Sequence, residues 1–240
     1  MHRFFADENG IVNGMARLEA EDAAHALRVL RMQPGDRLQL FANGGAYDAE
    51  MADLTDGVTV RVLQEVKSPE PTLRVTLYQG AAKGDRMDYV MQKCTEAGVS
   101  ALVPVNMPRS VAKIDANDTK KIARWQKIAR EAAKQAFRPV VPAVENAISE
   151  KELLKRLANH QLVLVPWEDE HAGTMRQYIT DDVTDLAIVI GPEGGMAENE
   201  VEAMRAVGAK AVTLGPRIFR TETAGLAAIV AAMAFSGNLE

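Results

Sequence analysis

The sequence predicts an α/β protein in which a small β-rich domain precedes a larger α/β domain. Three observations support this fold class. Over the first seventy residues, alternating apolar and polar stretches are typical of short strands. Residues 67–72, "KSPEPT", hold two prolines in six residues and indicate a linker. Beyond it, short apolar runs alternate with helical patterns, as buried parallel strands and crossover helices do. We therefore predict domains at 1–70 and 73–240.

The elements of the first domain follow from local patterns. Residues 19–32, "EAEDAAHALRVLRM", have helical spacing and stop at Pro34-Gly35. Residues 34–51 alternate on both sides of Asn43-Gly44-Gly45, which predicts a hairpin because such a turn needs positive φ angles. Residues 56–66, "DGVTVRVLQEV", supply a further strand.

The second domain has a different rhythm. It begins with a strand at 73–80, a helix at 84–98, a strand at 101–106 and a long helix at 118–137. Three short apolar runs then follow, "LVLVP" (162–166), "LAIVIG" (186–191) and "AVTLG" (211–215), and each precedes a helical pattern. Runs of this kind predict the buried strands of a largely parallel sheet.

Charge is segregated along the chain. The whole sequence has a net charge of −5, but residues 73–160 hold 16 basic against 9 acidic residues, whereas both flanking parts are acidic. The segment 117–138, which contains this predicted helix, aligns one basic stripe formed by Lys120, Arg124, Lys127, Lys134 and Arg138. A stripe of this kind is either an ordinary solvated face or a surface for an anionic partner. The shortage of nearby acids favours a nucleic acid.

Several classes of function lack the necessary residues. Cys94 is the only cysteine, so neither an intramolecular disulfide nor a cysteine-based metal cluster is expected. No apolar run is long enough for a transmembrane helix, and the N-terminus lacks a signal peptide's apolar core. We expect no metal, no membrane partner and a cytoplasmic location. The four histidines are scattered: His2, His25, His160 and His171.

A glycine-rich loop follows the predicted strand at 186–191. The sequence "GPEGG" (191–195) lies where ligands of open α/β sheets bind, and its glycines permit close approach to the backbone. The alternative is a strand-to-helix turn without a ligand. A phosphate site is disfavoured because the loop lacks the lysine of a P-loop and because Glu193 would repel a polyphosphate. A cationic or nearly neutral cofactor fits better.

The stretch "LGPRIFRTETAG" (214–225) has the same arrangement of strand, turn and helix. Helix capping accounts for Thr221, as an acceptor, and for Glu222, as a complement to the helix dipole. It does not account for Arg217 and Arg220, since cations are unfavourable at this helix end. The following helix is apolar around most of its circumference, so we expect it to be buried against the sheet and a second subunit.

Taken together, the motifs resemble one known family. They are "HALRVLRMQPGD" (25–36), "KGDRMDYVMQKCTEAGV" (83–99), "PRSV" (108–111), "RWQKIAREAAKQAFR" (124–138), "VIGPEGGMAENE" (189–200) and "LGPRIFRTETA" (214–224). They resemble the RsmE family of ribosomal RNA small-subunit methyltransferases, in the SPOUT superfamily. The sequence departs from the family pattern at Cys94 and Ala97, at Phe219, and at His25, where a histidine pair is common.

The resemblance implies a fold and a reaction. It implies an N-terminal PUA-like β-barrel, a C-terminal SPOUT domain with a deep trefoil knot, and a homodimer. It also implies S-adenosylmethionine as the cofactor and N3 methylation of one uridine, U1498, in the 16S rRNA of the assembled small subunit. The uridine would be flipped out of its helix.

The resemblance also implies site residues. For catalysis we expect Arg220 first, to stabilise the negative charge on the deprotonated base, then Arg217 and Glu222. The expected cofactor-binding residues are Val165, Pro166, Gly191, Pro192, Glu193, Gly194, Gly195, Leu214, Gly215, Ile218, Arg220 and Thr221. The expected RNA-binding residues are Arg3, Arg28, Arg31, Lys83, Arg109, Lys120, Arg124, Lys127 and Arg138.

Two other classes of function stay open at the level of sequence. One is a non-enzymatic RNA-binding or ribosome-assembly protein, which leaves the glycine loop and the two arginines without a role. The other is a nucleotide-dependent enzyme, which the missing lysine and Glu193 disfavour. Calorimetry with S-adenosylmethionine and with ATP separates all three.

Overall fold

The computed structural model describes residues 1–55 and 57–239. Asp56 and Glu240, which fall in the predicted strand at 56–66 and the predicted domain at 73–240, lie outside the described residues. The chain divides into two compact units, residues 1–70 with 133–141, and residues 71–132 with 142–240. Residues 133–141 thus group with the first unit, although the division predicted from the sequence places them in the second.

The first unit is a closed five-stranded β-barrel, which confirms the predicted β-rich fold. Its strands follow the order β1-β2-β5-β4-β3, and parallel pairing of β1 with β3 closes the barrel. The predicted hairpin is confirmed: Asn43 and Gly44 both have positive φ, and Ala42 pairs with Gly45. The strands are β1 (Arg3–Val12), β2 (Met15–Leu18), β3 (Arg37–Ala42), β4 (Gly45–Asp53) and β5 (Thr59–Val66).

The helix predicted at 19–32 is shorter and irregular. It consists of α1 (Ala20–Ala24) and a π-helical turn over His25–Val29. The π turn continues the helical path with wider turns. Residues 25–29 therefore look helical in the sequence although they lie beyond the regular α-helix. Leu27, Arg28 and Val29 are exposed on this turn, whereas Ala26 is buried in the barrel core.

The second unit is built on a parallel sheet, as predicted. The strand order is β12-β10-β11-β6-β7-β8, and β9 also pairs with β7. These strands are β6 (Arg74–Gly80), β7 (Ala101–Asn106), β8 (Ala143–Val144), β9 (Ile148–Ser149), β10 (Leu162–Pro166), β11 (Asp185–Ile190) and β12 (Lys210–Val212). The continuous apolar runs of β10 and β11 are buried at their centres, as the hydrophobic sequences require.

The helices of this part of the chain confirm the main sequence predictions. The 84–98 segment forms α2 (Arg86–Glu96), and the 118–137 segment forms α3 (Thr119–Gln135). The remaining helices are α4 (Glu150–Leu157), α5 (Met175–Tyr178), α6 (Glu198–Ala206) and α7 (Thr221–Phe235). In the described residues, no helix has both the length and the apolar character needed to cross a membrane.

The loops after β10, β11 and β12 lie together at one edge of the sheet. Register pairs Ile190 with Gln79 and Pro166 with Val212, so β6, β10, β11 and β12 end at one edge. The predicted strand at 211–215 stops at Val212, which leaves Thr213 and Leu214 in the loop. Loops after parallel strands meet at this carboxyl edge, where ligands of open α/β sheets bind.

Candidate active site

A cavity of about 750 Å³ lies at the carboxyl edge of the sheet. Its walls come from the loops after β10, β11 and β12 and from the start of α7. Two predicted cofactor residues are not in the wall: Val165 is buried within β10, and Gly194 packs beside Arg109. The predicted cofactor residues that do line it are Pro166, Gly191, Pro192, Glu193, Gly195, Leu214, Gly215, Ile218, Arg220 and Thr221.

All three predicted catalytic residues also line this cavity. Arg217 and Arg220 lie in the exposed loop between β12 and α7, and Glu222 lies in the first turn of α7. The carbonyl of Arg220 accepts hydrogen bonds from the amides of Thr223 and Ala224 at 3.0 and 2.8 Å. The backbone of Arg220 therefore starts the helix, and its side chain is left available to the cavity.

Thr221 does not cap α7 through its side chain, which corrects the prediction. Its hydroxyl donates to the Gly191 carbonyl at 2.6 Å and accepts from Gln79 Nε2 at 2.8 Å. Gln79 and Thr221 are both buried. These bonds tie the end of β6, the glycine loop and the start of α7 into one unit, so Thr221 fixes the position of the loop at Gly191.

The carboxylate of Glu193 is held at the cavity wall by a backbone amide and a guanidinium. It accepts from the Lys83 amide and from Arg86 Nη1, both at 2.8 Å. Burial raises the pKa of Glu193, but these hydrogen bonds, one from its own backbone amide and the charge of Arg86 outweigh that effect and lower the pKa below its ordinary value. Glu193 is therefore ionised at neutral pH and orients the loop.

Gly195 illustrates why this loop needs glycine. Its φ is +67°, and a Cβ there would lie 2.9 Å from Oε1 of Glu168. An L side chain would be strained at this φ and would also occupy space between Gly195 and the loop after β10. Trp167 joins the same two loops, since its indole Nε1 donates to the Met196 carbonyl at 3.2 Å.

Sequence reasoning missed several wall residues. Trp167, Glu168 and His171 follow β10 directly, and the rule that placed the other loops at the carboxyl edge applies to them equally. Arg86 could not be found this way, because it reaches the cavity from the start of α2. The remaining missed wall residues include Met196, Thr213, Pro216 and Phe219.

The predicted RNA-binding residues do not form one set. Arg138 is only 4% exposed and its guanidinium pairs with Glu70. It therefore does not face solvent, where an RNA-binding residue was predicted. Arg3 is partly buried and donates to the carbonyls of Lys134 and Gln135 at 3.0 Å. The exposed members are Arg28, Arg31, Lys83, Arg109, Lys120, Arg124 and Lys127.

Arg109 lies close to the glycine loop. Its Nη1 is 3.4 Å from the Gly194 carbonyl, and a Cβ on Gly194 would come within 2.9 Å of the Arg109 carbonyl. Arg109, predicted as an RNA-binding residue, thus lies beside the glycine loop but does not line the cavity.

Cys94 does not line the cavity. Burial raises the pKa of the Cys94 thiol to about 12, so the thiol stays protonated and packs as an apolar group. In residues 1–55 and 57–239, no group of three or more His, Cys, Asp or Glu side chains is arranged to hold a metal ion.

Comparison with known proteins gives the family. A model described as "RNA methyltransferase domain" matches residues 68–233, and one described as "RNA methyltransferase PUA domain" matches residues 18–63. Ribosomal RNA small subunit methyltransferase E of Bacillus subtilis is 35% identical over 225 residues, which cover 89% of this chain and 88% of the relative. The chain belongs to the ribosomal RNA small subunit methyltransferase E family.

Other members of the family extend the comparison. Ribosomal RNA small subunit methyltransferase E of Mycobacterium tuberculosis is 30% identical over 241 residues, and the alignment covers 94% of this chain and 88% of the relative. A solved Neisseria gonorrhoeae family member, described as bound to S-adenosyl methionine, has a TM-score of 0.83 and 35% identity over 98% of this chain and 97% of that chain. A putative methyltransferase of Legionella pneumophila, described with bound SAM, has a TM-score of 0.83 and 30% identity, covering 97% and 96%.

Proposed function

We propose that this protein transfers a methyl group from S-adenosylmethionine to N3 of one uridine in small-subunit ribosomal RNA. The observation that carries the proposal is the cavity where Arg217, Arg220 and Glu222 meet the glycine loop. Membership of a family of rRNA methyltransferases supports the reaction class. The finer target, U1498 of 16S rRNA in an assembled subunit, follows from the family resemblance alone.

The cavity residues fit S-adenosylmethionine. A volume of about 750 Å³ lies within the range of small-molecule sites. Glu168 supplies a carboxylate opposite Gly195, which suits a ligand with positive sulfonium and ammonium groups. Pro166, Gly191, Gly195, Leu214 and Ile218 would hold the cofactor against backbone. When bound, the cofactor supplies a methyl group activated by the sulfonium.

The protein's own residues prepare the base. Uridine N3 must lose its proton, which leaves negative charge shared with O2 and O4. The guanidinium of Arg220, aided by Arg217, would stabilise this charge at the cavity wall. Glu222 is a candidate acceptor for the N3 proton, because its Oε2 is buried and has no hydrogen-bond partner among the described residues.

The assembly and fold around the site are also part of the proposal. The protein would act in the cytoplasm as a homodimer, with domains at 1–70 and 73–240 and a trefoil knot formed by the loops that line the cavity. Support for the dimer comes from apolar side chains exposed on α7, Val230 at 40% and Phe235 at 36%. Support for the knot comes from the family resemblance alone, because true knots are rare in proteins and local sequence patterns do not predict them.

Mass mapping of methylated nucleotides tests the function directly. Small subunits from a Bacillus subtilis strain lacking its family member would be incubated with this protein and S-adenosylmethionine. We expect one new methyluridine, at U1498, and none when cofactor is omitted. Methylation at another base or at a ribose would contradict the N3 proposal. Calorimetric binding of ATP but not S-adenosylmethionine would favour a nucleotide-dependent enzyme instead.

A further inference from the structure

A shallow cleft adjoins the cavity described above. It is lined by Lys83, Gly84, Asp85, Arg86, Tyr89, Glu222 and Thr223. Arg86 and Glu222 line both spaces, so the cleft and the cavity are neighbours across these two side chains.

An exposed aromatic ring forms part of its wall. Tyr89 lies on α2 and is 38% exposed, whereas Met87, Val90, Met91 and Cys94 of the same helix are buried. Tyr89 is thus the residue of this helix segment that turns an aromatic side chain toward the cleft. Aromatic rings at such positions are stacking platforms for unpaired nucleobases.

A cation accompanies the ring. The amide of Lys83 donates to Glu193 Oε1 at 2.8 Å, which fixes the main chain at this position. The Lys83 side chain is exposed and its ammonium has no hydrogen-bond or ion-pair partner among the described residues. A positioned backbone with an available ammonium suits a phosphate of the nucleic-acid chain.

The boundary with the cavity carries one donor and one acceptor. Arg86 Nε lies 3.6 Å from Glu222 Oε1, while Glu222 Oε2 is buried and has no hydrogen-bond partner among the described residues. A buried carboxylate oxygen without a donor is costly unless a ligand supplies one. The N3–H of a uracil entering from the cleft is such a donor, and Arg86 can donate to a uracil oxygen.

We propose that this cleft binds the target nucleotide, with Tyr89 stacking on the flipped uracil and Lys83 binding an adjacent phosphate. The inference rests on the proposed function, which it deepens by placing the substrate on the α2 side of the cofactor cavity. A nucleotide here would present its base at Arg86 and Glu222, beside the arginines that would stabilise the charge on N3.

Tyr89→Ala, Tyr89→Trp and Lys83→Met test the proposal. Methyl transfer from labelled S-adenosylmethionine to the undermethylated Bacillus small subunits gives kcat/KM, and calorimetry gives the cofactor Kd. We expect Tyr89→Ala to lower kcat/KM about 5- to 150-fold, the loss of one stacked base, while Tyr89→Trp stays within about threefold of the wild type. Lys83→Met should weaken the salt dependence of RNA binding by about one phosphate contact. The cofactor Kd should not change in any variant.

Three results would overturn the subsite. An unchanged kcat/KM in Tyr89→Ala would exclude stacking of the base on Tyr89. Equal losses of kcat/KM in Tyr89→Ala and Tyr89→Trp would indicate that Tyr89 has a packing role. Dissociation of the oligomer by Tyr89→Ala, seen by light scattering, would make the cleft an interface. If the wild type transfers no methyl group, the proposed function fails. Binding of a uridine-containing single-stranded oligonucleotide then decides: weaker binding by Tyr89→Ala supports the subsite, and equal binding contradicts it.

Discussion

Arg220 has separate tasks for its backbone and its side chain. The carbonyl accepts the first hydrogen bonds of α7, from Thr223 and Ala224, and any residue could provide this carbonyl. The exposed guanidinium has no hydrogen-bond or ion-pair partner among the described residues and lines the cavity. A substitution at Arg220 should therefore separate activity from stability.

Arg220→Ala is expected to lower kcat at least about 100-fold, the usual effect of removing one group that stabilises a developing anion. The melting temperature should stay within a few degrees, because the cap is a backbone contact. Methyl-transfer kinetics and circular dichroism measure the two effects. Arg74→Ala is the matched control, since Arg74 is exposed at the start of β6, at the other edge of the sheet. Near-normal turnover in Arg220→Ala would exclude the catalytic role.

Gly195→Val should weaken binding of S-adenosylmethionine at least about tenfold. The new side chain would be strained at a φ of +67° and would intrude toward Glu168. Gly208→Val is the control: Gly208 also has a positive φ, +101°, but nothing lies within 4 Å of its Cβ position and it is absent from the cavity wall. Calorimetry should show a normal Kd for the control. Equal Kd values in both variants would place the cofactor elsewhere.

At the residue scale, the sequence predicted the site members whose charge or glycine stands out in the loops after β11 and β12, but not Trp167, Glu168 and His171 in the loop after β10. Arg217, Arg220 and the glycine loop were found because charge and glycine at such places are unusual. Gln79 was not found, since a glutamine inside a buried strand has no pattern of its own, and its bond to Thr221 joins residues 142 positions apart. Contacts of this separation depend on the sheet order, which local patterns do not encode.

At the scale of elements, α3 divides its basic stripe between two uses. Lys120, Arg124 and Lys127 are exposed, and Arg124 pairs with Asp88. Lys134 and Arg138 are instead largely buried and pair with Asp22 and Glu70. The sequence predicted the stripe but not this division, because both partners lie more than 60 residues away along the chain.

Removing the charges at Lys120, Arg124 and Lys127 together should weaken RNA binding and flatten its salt dependence. If each residue meets a phosphate, the slope of log K against log salt should fall in magnitude by about 2 to 3. Filter binding at several salt concentrations measures this slope. The control neutralises Lys151, Lys155 and Lys210, which are also exposed and change the net charge equally. An unchanged slope in the α3 variant would mean that this face is only solvated.

At the scale of the whole molecule, α7 links the site to the proposed dimer. Thr221 at its start fixes the glycine loop, and Val230 and Phe235 are exposed further along the helix. The sequence predicted an apolar helix, since alanine and leucine-like residues cover most of its circumference. Which side chains stay exposed could not be predicted, because a helix that is apolar on all sides has no preferred core face.

Val230→Glu should shift the protein from dimer to monomer, because a charge would be buried in the proposed interface. Light scattering coupled to size exclusion would show the change in mass. Leu63→Glu is the control: Leu63 has the same exposed fraction as Val230, 40%, but lies on β5 of the barrel. A dimer that persists in Val230→Glu, or a wild type that is monomeric, would contradict an interface built on α7.

Because residues 133–141 belong to the first unit, a gene fragment that encodes only residues 1–70 does not encode the whole unit. Phe137 and Val141 pack against Phe5 and Phe41, so part of this small apolar cluster is encoded far downstream of the barrel strands. A fragment ending at residue 70 would leave the two aromatic rings uncovered and prone to self-association. The barrel strands therefore do not form a complete domain without residues 133–141, and recombination at the proline-rich linker would transfer an incomplete domain to another protein.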